Sequence, residues 1–175
     1  MRIVAVVMAG GRAERMGGVV KPLLRVCGKP LIEHVLGPLE GAWRIILALS
    51  RYTVEGLRGY CRRYNCIYTS GAGYPWDLGE VLASILYRPL IIVPADIVGL
   101  GPWLLKLAED VGDRSIYTVK CGGRPLGVSI IPGRGWDWED LEAGCRVVNV
   151  NTWEDLERAE QACRGYMEGT RLRAS

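Results

Sequence analysis

The sequence predicts an α/β domain: a mostly parallel, doubly wound sheet with one antiparallel strand. Three observations predict it. Short, nearly continuous apolar runs alternate with stretches of helical periodicity along the whole chain. A glycine-rich, basic loop follows the first run directly. Between residues 112 and 150 the alternation yields to two strand-like runs joined by a Cys-Gly-Gly-Arg-Pro turn, the mark of an antiparallel addition.

Taken in order, Ile3–Met8 is apolar and β-branched, and Arg44–Leu49, Cys66–Thr69 and Leu90–Pro94 are similar. Continuous apolar runs suit strands covered on both faces, the interior of a parallel sheet. Helices are expected between them. Pro30 sits at a favoured first helical position, with Leu31, Val35 and Leu39 following, and Gly37-Pro38 bends or ends that helix. Thr53 is placed to cap a helix facing inward with Val54, Leu57, Cys61 and Tyr64. Asp77 with Glu80 reads as a capping box before the stripe Leu78, Val81, Leu82 and Ile85. Gly101-Pro102 opens a helix with Leu104, Leu105 and Leu107 inside. Ser115–Lys120 and Leu126–Ile131 are the late strands, the acidic run Asp137–Glu142 reads as a solvated helix, and Arg146–Val150 is a short element. Thr152 with Asp155 caps the last helix, which buries Leu156, Ala159 and Cys163. Residues 1–165 form the expected domain and 166–175 a flexible basic tail.

With 175 residues, 49% hydrophobic and 23% charged, the chain fits one globular domain. A net charge of +3 is too weak to argue for nucleic acid or an anionic membrane. No apolar run reaches the ~18 residues of a membrane span, and the N-terminal strand lacks the features of a signal peptide. The expected location is cytoplasmic. Six cysteines without a Cys-x-x-Cys pair, and a single histidine, His34, argue against structural zinc. Buried free thiols are the simpler expectation. Scarce Asn and Gln hint at a thermophile, in which intracellular disulfides also occur; Cys61 and Cys66 are the closest pair.

The chemistry concentrates in residues 8–21, Met-Ala-Gly-Gly-Arg-Ala-Glu-Arg-Met-Gly-Gly-Val-Val-Lys. Glycines allow backbone amides to approach phosphate oxygens, while arginine forks and a lysine supply cationic partners. The loop is not a P-loop, since no Gly-Lys-Ser/Thr closes it, and it lacks the Gly-x-Gly-x-x-Gly dinucleotide fingerprint.

Ala9-Gly10-Gly11, then Arg15-Met16-Gly17-Gly18 and Lys21-Pro22, is similar to the signature of nucleotide-sugar pyrophosphorylases and related nucleotidyltransferases. Three further stretches narrow the resemblance: Lys21–Ile32; Thr69–Tyr74 followed by Asp77-Leu78; and Val148–Thr152 with Glu154–Leu156. They resemble the archaeal adenosylcobinamide-phosphate guanylyltransferases of cobalamin synthesis, with gaps, from residue 3 to about residue 163. The resemblance implies a three-layer, Rossmann-like nucleotide-diphospho-sugar transferase fold. It also implies an enzyme that moves GMP from GTP to a phosphorylated corrinoid acceptor with release of pyrophosphate, aided by Mg²⁺. Arg15, Lys21 and Asp96 would be catalytic. Met8, Ala9, Gly10, Gly11, Arg12, Arg15, Met16, Gly17, Lys21 and Asp96 would hold the nucleotide, and Ser70, Gly71, Gly73 and Asp77 would surround its base. Asp96 and Asn151 would hold the metal, with Asn149 weaker. Strand alternation would put Asn149 and Asn151 on one face. The phosphate nucleophile is already an anion, so a site without histidine or paired carboxylates suffices. Tyr74, Pro75 and Trp76 are read as loop packing. The stretch from Pro132 to Val147 is shorter than the family's acceptor-side segment. Two alternatives therefore stay open: a nucleotidyltransferase for molybdopterin or a sugar phosphate, and a GTP-binding module without turnover. A homodimer is left open.

Overall fold

The computed structural model describes residues 2–133, 135 and 137–171, without the side chains from 164 onward. The strands are β1 (Val4–Met8), β2 (Arg25–Val26), β3 (Lys29–Pro30), β4 (Arg44–Leu49), β5 (Asn65–Tyr68), β6 (Leu90–Pro94), β7 (Ile97–Val98), β8 (Ser115–Cys121), β9 (Arg124–Ile131), β10 (Asp137–Glu142) and β11 (Val148–Asn149). The helices are α1 (Leu31–Leu36), α2 (Val54–Leu57), α3 (Tyr74–Ser84), α4 (Trp103–Asp110) and α5 (Trp153–Arg171).

Seven strands form the main sheet in the order β10-β8-β9-β6-β1-β4-β5. β9 pairs antiparallel with both β6 and β8, whereas β5, β4, β1 and β6 run parallel, as do β8 and β10. The mostly parallel sheet with an antiparallel strand is as the sequence predicts. β1 lies between β4 and β6 with Met8 opposite Ala48 and Pro94, so chain direction across the sheet reverses at β1. Ligands bind beyond the carboxyl ends of strands at such a reversal.

Side-chain alternation along the central strands builds the two outer layers. Ala5, Val7, Leu47, Leu49, Ile91 and Val93 pack on one face with Ile32, Val35, Leu57, Leu104 and Ala108. Val4, Val6, Ala48, Leu90 and Ile92 pack on the other with Val81 of α3 and Ile85 just after it. Because both faces are covered, β1 and β6 can be apolar almost throughout. A third, smaller core joins Met16, Val26, Leu31, Val98, Val150 and Ala159 beneath the glycine-rich loop.

Several local expectations are corrected. Asp137–Glu142 is an edge strand and not a helix. It pairs in register with β8, and Lys120–Asp140, Trp138–Thr118 and Ser115–Glu139 contacts supply side-chain partners that a lone helix would lack. The N-cap of α3 is Gly73; Asp77 lies within the first turn and accepts the Gly71 N–H at 2.8 Å. Thr53 does cap α2 by position, but its hydroxyl accepts the Ser50 N–H instead of a helical one. The free-thiol expectation also gives way. Cys27–Cys163, Cys61–Cys66 and Cys121–Cys145 form disulfides, their Cα atoms 6.3, 5.6 and 5.4 Å apart. α5 continues to Arg171, beyond residue 165; residues 172–175 of the expected tail lie outside the described residues. Among the described residues no helix is long and apolar enough to cross a membrane.

Candidate active site

A cavity of about 580 Å³ opens where β1 and β6 end, a volume in the range of small-molecule sites. Its walls come from five stretches of the chain: 8–15 at the end of β1 and beyond, Lys21 with Pro22, 71–74 with Asp77 after β5, 94–96 at the end of β6, and Asn151.

The loop after β1 has almost no regular structure of its own, so neighbouring contacts hold it. Ala13 and Gly17 flank a single 3-10 turn, Glu14–Met16, both in the left-handed region. Left-handed backbone is inexpensive for Gly17 and costly for Ala13. The Met16 side chain is 2% exposed and sits in the third core. It anchors the loop from below, leaving Gly10, Gly11, Arg12 and Arg15 on the cavity wall. Among the described residues no hydrogen bond or ion pair engages the Arg15 guanidinium, so its donors are available to a ligand.

Lys21 approaches from a second 3-10 turn, Lys21–Leu23, whose Pro22 is buried. Its Nζ donates to Asp96 Oδ2, to Val150 O at 2.9 Å and to Asn151 Oδ1 at 3.4 Å. The Lys21 and Asp96 side chains are 16% and 14% exposed. Ion pairs so shielded from water are poorly screened and cost much to break from one side. Asp96 is held by its own backbone, since Val150 N–H donates to Asp96 O at 2.8 Å. Its second carboxylate oxygen, Oδ1, is buried and has no hydrogen-bond partner among the described residues.

An orphaned buried carboxylate oxygen, on the residue that shares Lys21 with the Asn151 amide oxygen, fits a small hard cation. Mg²⁺ takes oxygen ligands, keeps several waters and needs only one or two carboxylates with substrate phosphates. Among the described residues no cluster of three His, Cys, Asp or Glu offers a closed metal cage. Asn149 does not line the cavity, because β11 ends there and alternation no longer governs Asn151. Asp155 sets the position of Asn151 by accepting its N–H and that of Thr152, each at 2.9 Å, while Asp155 N–H donates to the Thr152 hydroxyl. The expected cap of α5 is thus present, with an added link to the site.

Of the residues expected to hold a ligand, Met8, Ala9, Gly10, Gly11, Arg12, Arg15, Lys21, Gly71, Gly73, Asp77, Asp96 and Asn151 line the cavity. Met16, Gly17 and Ser70 do not. Met16 is committed to the core, Gly17 ends the 3-10 turn, and Ser70 gives its N–H to Glu80. Tyr74, read as packing, also lines the cavity, as do Ala72 and Pro94. Burial first, and then the charge on Asp96, push the Tyr74 phenol above its ordinary value. A tyrosine beside a proline gave no signal separating these roles; the signal is that α3 begins at Tyr74 and carries it to the cavity rim. His34 is satisfied locally, donating to Val26 O at 2.9 Å.

Residues 5–143 match the model of the MobA-like NTP transferase domain. The chain belongs to this family. It is a nucleotidyltransferase, and its solved neighbours include many of that kind. An adenosylcobinamide-phosphate guanylyltransferase from Methanocaldococcus jannaschii is 29% identical over 191 residues, covering 89% of this chain and 95% of that protein. That alignment is longer than the 175-residue chain, so the relative carries segments absent here. A molybdenum cofactor guanylyltransferase from Shewanella amazonensis is 34% identical over 104 residues, 55% of this chain and 50% of that protein. The same fold occurs in Rv0371c of Mycobacterium tuberculosis, with a TM-score of 0.75 at 19% identity over 92% of this chain and 99% of that one. It occurs also in HddC of Yersinia pseudotuberculosis complexed with GMP-PN, with a TM-score of 0.71 at 16% identity over 93% and 99%.

Proposed function

We propose that the protein transfers GMP from GTP to adenosylcobinamide phosphate, a phosphorylated corrinoid, and releases pyrophosphate. The observation that carries this reading is the Lys21–Asp96 pair, shielded from water, at the meeting of β1 and β6, with a second Asp96 oxygen that no described residue engages. The resemblance of Thr69–Tyr74 and Val148–Thr152 to the cobinamide family and the 89% coverage by the cobinamide relative support the acceptor.

In this reading the amides around Gly10 and Gly11 line the triphosphate, and Arg15 and Lys21 neutralise its charge and that of the departing pyrophosphate. The acceptor phosphate attacks the α-phosphorus as an anion, and pyrophosphate leaves in line, so no side chain need accept a proton. Positioning and charge neutralisation supply the catalysis. Asp96 and the Asn151 amide would hold Mg²⁺, which when bound spreads negative charge away from the phosphates. Gly71, Gly73 and Asp77 surround the base.

A second reading, guanylyl transfer to molybdopterin, is favoured by the higher identity of the shorter Shewanella amazonensis match. Pyrophosphate release separates the two. The protein is incubated with GTP, Mg²⁺ and either acceptor. Release with adenosylcobinamide phosphate alone is expected; release with molybdopterin alone selects the second reading. Tight GTP binding without release under either acceptor would mark a nucleotide-binding module.

A further inference from the structure

Arg12 and Arg15 stand three residues apart in the same loop, yet they are engaged differently. Among the described residues Arg15 meets no hydrogen-bond or ion-pair partner, whereas Arg12 spends its fork on the protein. Its Nε and Nη2 donate to Gly71 O at 3.2 and 3.0 Å, and Nη1 lies 3.4 Å from Glu14. Its guanidinium lies 5.0 Å over the Tyr52 ring, a distance at which cation and π face attract. Tyr52 itself abuts Gly71. A Cβ on Gly71 would meet the Tyr52 ring at 2.9 Å and Ser50 Cβ at 3.0 Å, and Gly71 is left-handed at φ +69°. Ser50 Oγ donates to Gly10 O at 2.6 Å and accepts the Tyr52 N–H at 3.2 Å. The loops after β1, β4 and β5 are therefore locked together through Arg12, Ser50, Tyr52 and Gly71.

Resting on the nucleotide-site reading above, we propose that Arg12 and Tyr52 are positioning residues that latch the loop at Gly71 to the phosphate loop and so set the gap into which the base fits. Arg12 acts through Gly71 and not as a cation for the triphosphate. A lysine at 12 would keep the charge but lose the fork and the stacking that make the latch. The latch bears on the base and ribose, which GTP and GMP share, and leaves the phosphate contacts of Arg15 and Lys21 in place.

The test compares Arg12→Ala, Arg12→Lys and Tyr52→Leu with the wild type in binding GTP and GMP, in KM and kcat, and in thermal melting. The expected result is that Arg12→Lys resembles Arg12→Ala. Each weakens GTP and GMP by the same factor, about tenfold, with KM raised and kcat changed far less. Tyr52→Leu shifts both nucleotides in the same direction. The double variant Arg12→Ala/Tyr52→Leu loses less than the sum of the two, as residues acting through one contact do. Melting close to that of the wild type separates this from a folding defect. Three results would overturn the latch: rescue by lysine, a loss confined to GTP, or wild-type nucleotide binding by Tyr52→Leu. Failure of the nucleotide-site reading looks different, since the wild type would then bind neither nucleotide and Lys21→Ala would change nothing.

Discussion

The loop after β1 and strand β10 are both short, polar and charged, yet the fold treats them in opposite ways. The loop is pinned from within: Met16 is buried below it, and Lys21 reaches inward to Asp96 and Asn151. β10 lies at the sheet edge with five of its six residues exposed and is held by backbone pairing to β8 and by side chains at its surface. Glu142 illustrates this, accepting the N–H groups of Gly122 and Gly123 at the β8–β9 turn. Polar residues around a buried anchor converge on a ligand-sized space; polar residues on an edge strand protect a row of unpaired backbone groups. Charge density alone does not separate a site from a solvated edge, but the burial beneath it does.

That contrast can be broken at its strongest point first. Asp96→Ala is expected to lower kcat by about a thousandfold, the scale of a lost charge-stabilising group. The variant should still fold, with a lowered melting temperature, because Lys21 loses its shielded partner. Near-normal turnover in a steady-state pyrophosphate assay would remove Asp96 from the metal and the chemistry. Next comes the anchor. Met16→Ala should cost about 3 kcal/mol in urea unfolding and weaken GTP binding, although Met16 does not line the cavity. If stability falls while nucleotide binding is unchanged, the buried anchor does not shape the loop.

Asp155 sharpens the comparison by pH. Burial alone would raise its carboxyl, but hydrogen bonds from Asn151, Arg158 and Thr152 outweigh burial and hold it below the ordinary 3.8. A depressed carboxylate contributes stability above its unfolded value and loses it as pH falls through the folded one. Asp155→Asn is therefore expected to cost about 1 kcal/mol near neutrality, and the gap to the wild type should close below pH 3.8 in acid-denaturation curves. A gap that stays constant down to pH 2 would rule out this linkage. The smallest effect belongs to the edge. Asp140→Ala, which removes the Lys120 pair, should change stability by under about 1 kcal/mol, as exposed pairs do, and leave turnover intact. A large loss of turnover would show β10 to be coupled to the cavity.

The same division governs what could be read before folding. β1, β4 and β6 were legible because both faces are buried, so nearly every position must be apolar. β10 was misread as a helix because an exposed edge strand takes its partners from β8, twenty residues away in sequence. Within the site, glycines and cations marked the wall of the cavity, but a motif could not separate Met16, which turns down into the core, from Arg15, which turns up. Tyr74 and Tyr52 carried no pattern at all; their roles arise where separate loops meet.

By itself the sequence determined the class of sheet, the place of the glycine-rich loop after the first strand and the charged residues available to it. All of these follow from local periodicity and from the few side chains able to meet phosphate. Tertiary structure alone decided which of those residues share a cavity. It set Lys21 against Asp96 across 75 residues of chain, paired the cysteines and turned Arg12 toward Gly71 instead of outward. Such choices depend on packing between segments remote in the chain, and no local pattern encodes the distance that folding closes.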